Sequence, residues 1–144
     1  MAEKLLAHAL AAQDSPLREI DVISGGVSAM NGQHASINSV KALATVRLDL
    51  SSHRSKQVTA QMINNSLAVF CMTESHRRIL REFFPETRTP LHLFREFMPP
   101  PADRQISDPY GMSLENYVQC RDSMVEAIPS LVDFIRRLDI KGFE

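Results

Sequence analysis

The chain of 144 residues carries 16 basic and 17 acidic side chains, which leaves a formal net charge of -1. This length suits one domain with its own core, and the near-zero charge excludes the strong positive field typical of proteins that bind nucleic acid or anionic membranes. Hydrophobic residues make up 44% of the sequence, but no apolar run approaches the roughly 20 residues of a membrane span.

The first half of the chain alternates helix and strand patterns. Apolar residues recur at helical spacing over residues 1–12, and the β-branched run 20–24 (Ile-Asp-Val-Ile-Ser) is typical of a strand that ends at the Gly25-Gly26 turn. Two further helices are predicted over residues 35–43 and 58–64, with a polar loop between them.

The second half continues the alternation. The continuous apolar run 67–72 predicts a strand buried on both faces, and Thr73 offers an N-cap for a helix that reaches residue 84. A short strand at 91–94 and a proline-rich loop at 97–108 follow. The last pattern predicts one long amphipathic helix over residues 114–138, which Pro129 should kink or break.

This alternation indicates an α/β fold with a mainly parallel sheet and right-handed crossovers. In such sheets, sites lie at the carboxyl ends of the strands. Gly25-Gly26, Thr73 and Asp108 follow predicted strands or lie in loops, so they can meet at that end.

Cysteine usage points to a reducing environment. Cys71 and Cys120 are far apart and form neither a disulfide framework nor a zinc-ligand cluster. The apolar residues at the N-terminus are interrupted by charged ones, unlike a signal peptide. We therefore expect a single domain over residues 1–144 in a cytoplasmic setting, without a metal ion or cofactor.

The stretch Asp108-Pro109-Tyr110-Gly111 carries the clearest indication of chemistry. Pro109 fixes its own φ and pushes Asp108 into an extended conformation, so a stiff loop aims the carboxylate beside the Tyr110 ring. A general acid must be held within hydrogen-bond reach of a leaving group, and this arrangement suits that role. Asp-Pro is also ordinary turn chemistry ahead of a helix, so the four residues alone leave both interpretations open.

Four segments, in the same order, resemble one family. Residues 24–43 resemble its strand-loop-helix pattern SAG…AV.AL, and residues 50–59 (Leu-Ser-Ser-His-Arg-Ser-Lys-Gln-Val-Thr) resemble its DLSGHRSRQLT segment. Residues 70–76 resemble its strand end CMDES, and Asp108-Pro109-Tyr110 resembles its aspartate loop. The family is the low-molecular-weight protein tyrosine phosphatases, which share their fold with some arsenate reductases and protein-arginine phosphatases. The resemblance covers nearly the whole chain.

That family begins with a central strand and a C-x5-R-S/T-P loop, which have no counterpart here. The opening Met1-Ala2-Glu3 resembles the helix that directly follows the loop. The missing parts carry the nucleophilic cysteine, the phosphate-binding arginine and a cradle of backbone N–H groups. The resemblance thus implies a three-layer α/β sandwich with a small, mainly parallel sheet that lacks its first central strand, in a domain that is N-terminally truncated.

The resemblance also implies roles for particular residues. Asp108 resembles the general acid, and Tyr110 resembles a wall of the substrate cleft. Ser24 and His53 resemble residues that support the phosphate-binding loop, although a loop histidine held by backbone partners is an equal alternative for His53. The implied substrate is a phosphorylated protein or a small phosphomonoester, hydrolysed through a cysteinyl-phosphate.

Cys71 and Arg77 match C-x5-R by spacing, but we reject them as a substitute loop. Residues 72–76 contain no glycine for the positive-φ positions of a cradle, and Glu74 would place a negative charge where phosphate should lie. Cys71 is better explained as a core thiol, and Cys120 as a packing residue on the last helix. We expect this chain to have no nucleophile and to be inactive by itself.

Two alternatives to an enzyme of the phosphatase lineage are left open. The chain could be a non-catalytic binding or regulatory relic of the fold. It could also be similar to an arsenate reductase, but that activity needs additional redox cysteines, and Cys71 and Cys120 do not resemble such a pair.

The missing central strand has a structural consequence. In the family it lies between the strands at residues 20–24 and 67–72, and unpaired strand edges in a buried sheet are costly. We expect the two strands to pair directly, or a second copy of the chain to fill the gap by dimerisation or swapping.

Overall fold

The computed structural model describes residues 1–140, which fold into helices around a two-stranded parallel sheet. The elements in chain order are α1 Ala2–Ala11, a 3-10 turn Leu17–Glu19, α2 Ile37–Ala44, α3 Ala60–Asn64, β1 Val69–Cys71, α4 Glu74–Phe83, β2 Leu91–Leu93 and α5 Leu114–Arg136. Their ends lie within two residues of the predicted helices and of the two later predicted strands. None of the helices in the described part of the chain is long and apolar enough to cross a membrane.

Side-chain caps explain where four of the helices begin. In each case a serine or threonine hydroxyl accepts the backbone N–H three residues further on, which satisfies a donor that the helix itself leaves free. The capping residues are Ser36, Thr59, Thr73 and Ser113. The prediction that Thr73 caps α4 is confirmed.

The sheet separates two apolar clusters because successive side chains of a strand point to opposite faces. Phe70 and Met72 pack against a large cluster supplied mainly by α1, α2 and α5. Cys71 belongs to a smaller cluster with Leu80 of α4 and Leu93 of β2. The structure therefore has helices on both faces of a parallel pair, and the expected α/β sandwich is confirmed.

Helix α5 is continuous through Pro129, so the predicted break there is wrong. Proline removes the hydrogen bond to the carbonyl four residues earlier, which belongs to Val125. That residue is 44% exposed and Pro129 is itself exposed, so water can solvate the free carbonyl. The buried face runs instead along the stripe Cys120, Met124, Ala127 and Leu131.

The strand predicted at residues 20–24 is not formed. A strand needs a hydrogen-bonded neighbour, and within residues 1–140 residues 21–25 make no backbone hydrogen bond and no ladder with β1. The expected direct pairing of the two segments is therefore wrong. Ile20 and Val22 nevertheless pack against the same cluster as Phe70, so the segment stays beside the sheet with its backbone unpaired.

Candidate active site

The Asp108 turn lies exposed on the loop that enters α5. The Tyr110 N–H donates to Asp108 Oδ1 at 3.0 Å, and the Met112 N–H donates to Pro109 O at 2.9 Å. Gly111 has φ +76° and occupies the third position of the turn, where a type II turn requires positive φ. The turn thus fixes the carboxylate through its own backbone, next to a Tyr110 side chain that is 82% exposed.

The residues just before the turn are anchored to the end of β1 and the start of α4. The Ile106 N–H donates to Met72 O at 2.8 Å, and Ile106 itself is buried. Gln105 Oε1 accepts the Glu74 N–H at 3.0 Å, one of the donors that the first turn of α4 leaves free. The loop therefore reaches Asp108 from a fixed point at the carboxyl end of the sheet, as the strand topology predicts.

A second polar cluster forms around Glu3, in the first turn of α1. Ser24 Oγ donates to Glu3 Oε1 at 3.3 Å, and His53 Nδ1 lies 3.2 Å from Glu3 Oε2. The Glu3 and His53 side chains are only 22% and 23% exposed, so solvent screens this contact less than it screens a contact at the surface. The structure thus brings Ser24 and His53 together, with Glu3 as the group that joins them.

Electrostatic interactions connect the start of α1 with Cys120 of α5 and connect Cys120 with the Asp108 turn. Burial lowers the pKa of the Met1 α-amino group, while the nearby Cys120 and Glu3 side chains raise it. Burial raises the pKa of the Cys120 thiol, and the Asp108 carboxylate raises it further. Ser24 and His53 therefore lie at the first turn of α1, and Asp108 lies close enough to Cys120 to act on its thiol.

Both cysteines are free and buried. Burial raises the pKa of Cys71 to about 11, although the positive charges of Arg77 and Arg81 act in the opposite direction. A nucleophilic cysteine needs a thiolate, which a lowered pKa supplies. Neither thiol has that environment, since burial dominates at both positions.

The guanidinium group of Arg77 forms ion pairs with two carboxylates. Its Nε and Nη2 donate to Glu74, and its Nη1 lies 2.9 Å from Glu96 Oε1. His92 Nδ1 lies 2.8 Å from the other oxygen of Glu96. Burial raises the pKa of the Glu96 carboxyl, but the contacts with His92, the Leu93 N–H and Arg77 outweigh burial and hold the pKa below its usual value.

The described residues offer no obvious metal site: within residues 1–140 no three His, Cys, Asp or Glu side chains are grouped so that they could hold an ion. What the arrangement provides is a carboxylate on a rigid turn and a polar cluster at the first turn of α1. Helix starts carry free N–H donors and favour anions.

Sequence reasoning missed Glu3 and the anchoring role of Gln105. One feature of the sequence could have indicated Glu3, because an acidic residue in the first turn of a helix is favourable. No local pattern, however, connects Glu3 with His53, which is 50 residues away. The contact of Gln105 with Glu74 depends on how a proline-rich loop returns to the sheet, which no periodicity predicts.

Comparison with known proteins agrees with this fold. The chain has the same fold as an arginine phosphatase from Geobacillus stearothermophilus, with a TM-score of 0.80 at 28% identity over 94% of this chain and 82% of that one. A low-molecular-weight protein tyrosine phosphatase from T. tengcongensis matches with a TM-score of 0.81 at 28% identity, covering 92% and 88% of the two chains. These structures define the class as phosphatases with a small parallel sheet.

The sequence comparisons identify the family. The model of the low molecular weight phosphotyrosine protein phosphatases matches residues 1–141, so the chain belongs to that family. A protein-arginine-phosphatase from Geobacillus stearothermophilus is 29% identical over 121 residues, which cover 84% of this chain and 80% of that protein. A probable low molecular weight protein-tyrosine-phosphatase, EpsP, from Ralstonia solanacearum is 25% identical over 138 residues, covering 96% and 88%.

The burial of both thiols gives a direct prediction about their reactivity. Cys71 and Cys120 should not react with a disulfide reagent such as DTNB at neutral pH in the folded protein, because the reacting species is the thiolate and burial raises both pKa values. Two thiols should react promptly once urea unfolds the chain. Rapid modification of either cysteine under native conditions would show that this thiol is accessible and ionised.

Proposed function

We propose that this protein removes phosphoryl groups from protein side chains by hydrolysis, with Asp108 as the general acid. The observation that carries the proposal is the fixed, exposed Asp108 turn, together with the Ser24–Glu3–His53 cluster at the first turn of α1, in a chain that belongs to a phosphatase family. The names of the relatives include both phosphotyrosine and phosphoarginine as targets. A phosphorylated tyrosine or arginine side chain is therefore the proposed substrate.

Each named residue has a part in this scheme. As the phosphoryl group passes to the thiolate of the family's nucleophilic cysteine, a role that neither Cys71 nor Cys120 fills, the Asp108 carboxyl gives its proton to the leaving oxygen or nitrogen. Water then attacks the cysteinyl-phosphate, which releases phosphate and the thiolate, and Asp108 accepts the proton of that water. Tyr110 forms an exposed aromatic wall against which the side chain of the substrate packs. The Glu3 carboxylate contacts Ser24 and His53 and so holds the loops that carry these two residues against the first turn of α1.

We further propose that residues 1–144 do not carry out the reaction alone. Cys71 is in a strand with its pKa raised to about 11, and Arg77, which has the C-x5-R spacing, is neutralised by Glu74 and Glu96. This geometry supports neither residue as nucleophile or phosphate ligand. The same geometry does not favour arsenate reduction, because Cys71 and Cys120 are both buried. The two free thiols suit the cytoplasmic setting that we propose for this activity.

An activity measurement tests both parts of the proposal. The 144-residue chain should not hydrolyse phenyl phosphate above the buffer rate. A fusion that places a strand and a C-x5-R-S/T-P loop before Met1 should hydrolyse it, and Asp108→Asn should lower that rate by about 100-fold or more, since a positioned acid contributes about 10²–10⁴. Phenyl phosphate is chosen because its poor leaving group needs the proton.

Glu115→Gln is the matched control, because it also replaces an exposed carboxylate by an amide on the same stretch of chain. This variant should keep the rate of the fusion. Turnover by the 144-residue chain that Asp108→Asn abolishes would contradict the proposed inactivity. A folded fusion without turnover would favour the binding-module alternative.

We also propose that the 144-residue chain self-associates through the backbone edges beside β1. Residues 21–25 and the second edge of β1 lack backbone partners in the described part of the chain, and Ile23 is 51% exposed in the middle of that segment. Exposed strand edges recruit further strands, and a second copy is a partner that is always present.

Sedimentation over a range of concentrations should show a monomer–dimer equilibrium. Ile23→Lys should weaken it by about tenfold, because a charge on an edge segment opposes strand addition. Phe83→Lys is the control, since Phe83 is an equally apolar, 65% exposed residue on α4, and it should leave the equilibrium unchanged. A monomer at all concentrations, or equal effects of the two variants, would contradict the proposal.

A further inference from the structure

Arg95 is the one charged side chain that is buried within residues 1–140, with 6% exposure. It follows β2 and precedes the proline-rich loop that leads to Asp108. Burial of a guanidinium group is costly unless its donors are satisfied. The partners of Arg95 therefore indicate what this buried charge does.

Those partners are two backbone carbonyls and one carboxylate. Arg95 Nε donates to Asp103 O at 2.6 Å, and Nη1 donates to Ser123 O at 2.7 Å and to Glu126 Oε2 at 3.2 Å. The Glu126 side chain is 62% exposed, so solvent screens its charge and the two carbonyls are the main partners. Arg95 thus joins the loop at Asp103 to the middle of α5 at Ser123.

The contact between Arg95 and Asp103 matters because Asp103 lies just before the Asp108 turn in the chain. Asp103 precedes Asp108 by five residues in the sequence, and the contacts of Gln105 and Ile106 with the end of β1 come directly after it. The stretch 103–106 is therefore fixed on one side by α5 and on the other by the sheet. On the far side of the turn, Asn38 Nδ2 donates to Met112 O at 3.4 Å.

We propose that Arg95 is a positioning residue for the acid turn: its guanidinium fixes the loop 103–106 between α5 and the sheet and so sets where Asp108 points. Its importance for catalysis rests on the proposed function. An arginine suits the task because its planar group presents donors in two fixed directions at once. A lysine offers a single charged nitrogen on a flexible stem and cannot hold both carbonyls in the same way.

Hydrogen exchange followed by NMR tests this role in the 144-residue chain. Arg95→Met keeps an apolar side chain of similar length in the buried position and removes every donor. The Ile106 N–H, which bonds to Met72 O, should then exchange about tenfold faster relative to the Leu131 N–H in the core of α5, because the loop opens locally without global unfolding. The Tyr110 amide resonance should also shift, since its bond to Asp108 Oδ1 reports the geometry of the turn.

Two further variants make the result specific. Arg95→Lys should give an intermediate exchange rate at Ile106. Arg121→Met is the matched control, because Arg121 is also largely buried and donates to Ala42 O at 2.8 Å and to Thr45 Oγ1, at the end of α2. This control should leave Ile106 and Tyr110 unchanged.

The proposal is overturned if Ile106 and Leu131 accelerate by the same factor in Arg95→Met, or if the Tyr110 resonance does not move. If Arg95→Met fails to fold, the comparison of Arg95→Lys with Arg121→Met decides by the same criteria. None of these readouts requires turnover, so a failure here leaves the proposed phosphatase activity intact, and an inactive fusion leaves the role of Arg95 intact.

Discussion

The backbone of β1 imposes the constraint on which the rest of the structure depends. In a parallel ladder, alternate residues of a strand bond to the same neighbour. Val69 and Cys71 therefore bond to β2, whereas the N–H and C=O groups of Phe70 point to the opposite edge. Val22 packs against the same cluster as Phe70, but residues 21–25 make no backbone hydrogen bond to β1 in the described part of the chain. Unpaired strand edges recruit further strands, so this edge is the basis of the self-association that we propose.

The same strand also determines where Asp108 lies. Helix α4 begins directly after β1 at the Thr73 cap, and the Met72 carbonyl accepts the Ile106 N–H from the loop that carries Asp108. Arg95 fixes this loop from the side of α5. Within the turn, the Tyr110 N–H orients the Asp108 carboxylate. An exposed aspartate on a long loop is thereby held in a defined direction without burial, which leaves it accessible to a substrate.

The sequence could predict those parts of the fold that depend on interactions between residues close together in the chain. Helix periodicity and hydroxyl caps such as Thr73 depend on neighbours a few residues away, and the predicted helices and later strands are confirmed within two residues. The segment 20–24 has a strand composition but lacks a ladder, because strand formation depends on a partner that composition does not encode. Glu3 and Arg95 were missed for a related reason: each acts through a contact distant in sequence, with His53 and Ser123 respectively. Motif order, by contrast, was enough to indicate the family that the comparisons confirm.

The central proposal is that this chain binds its own copy at the free edge of β1. Amide hydrogen exchange of Phe70 at several protein concentrations tests it most directly, with Cys71 on the paired edge as the internal reference. The account predicts that Phe70 exchanges rapidly in dilute solution and becomes protected as the concentration rises, while Cys71 stays protected throughout. Protection of Phe70 equal to that of Cys71 in dilute monomer, or rapid exchange of Phe70 at every concentration, would contradict it.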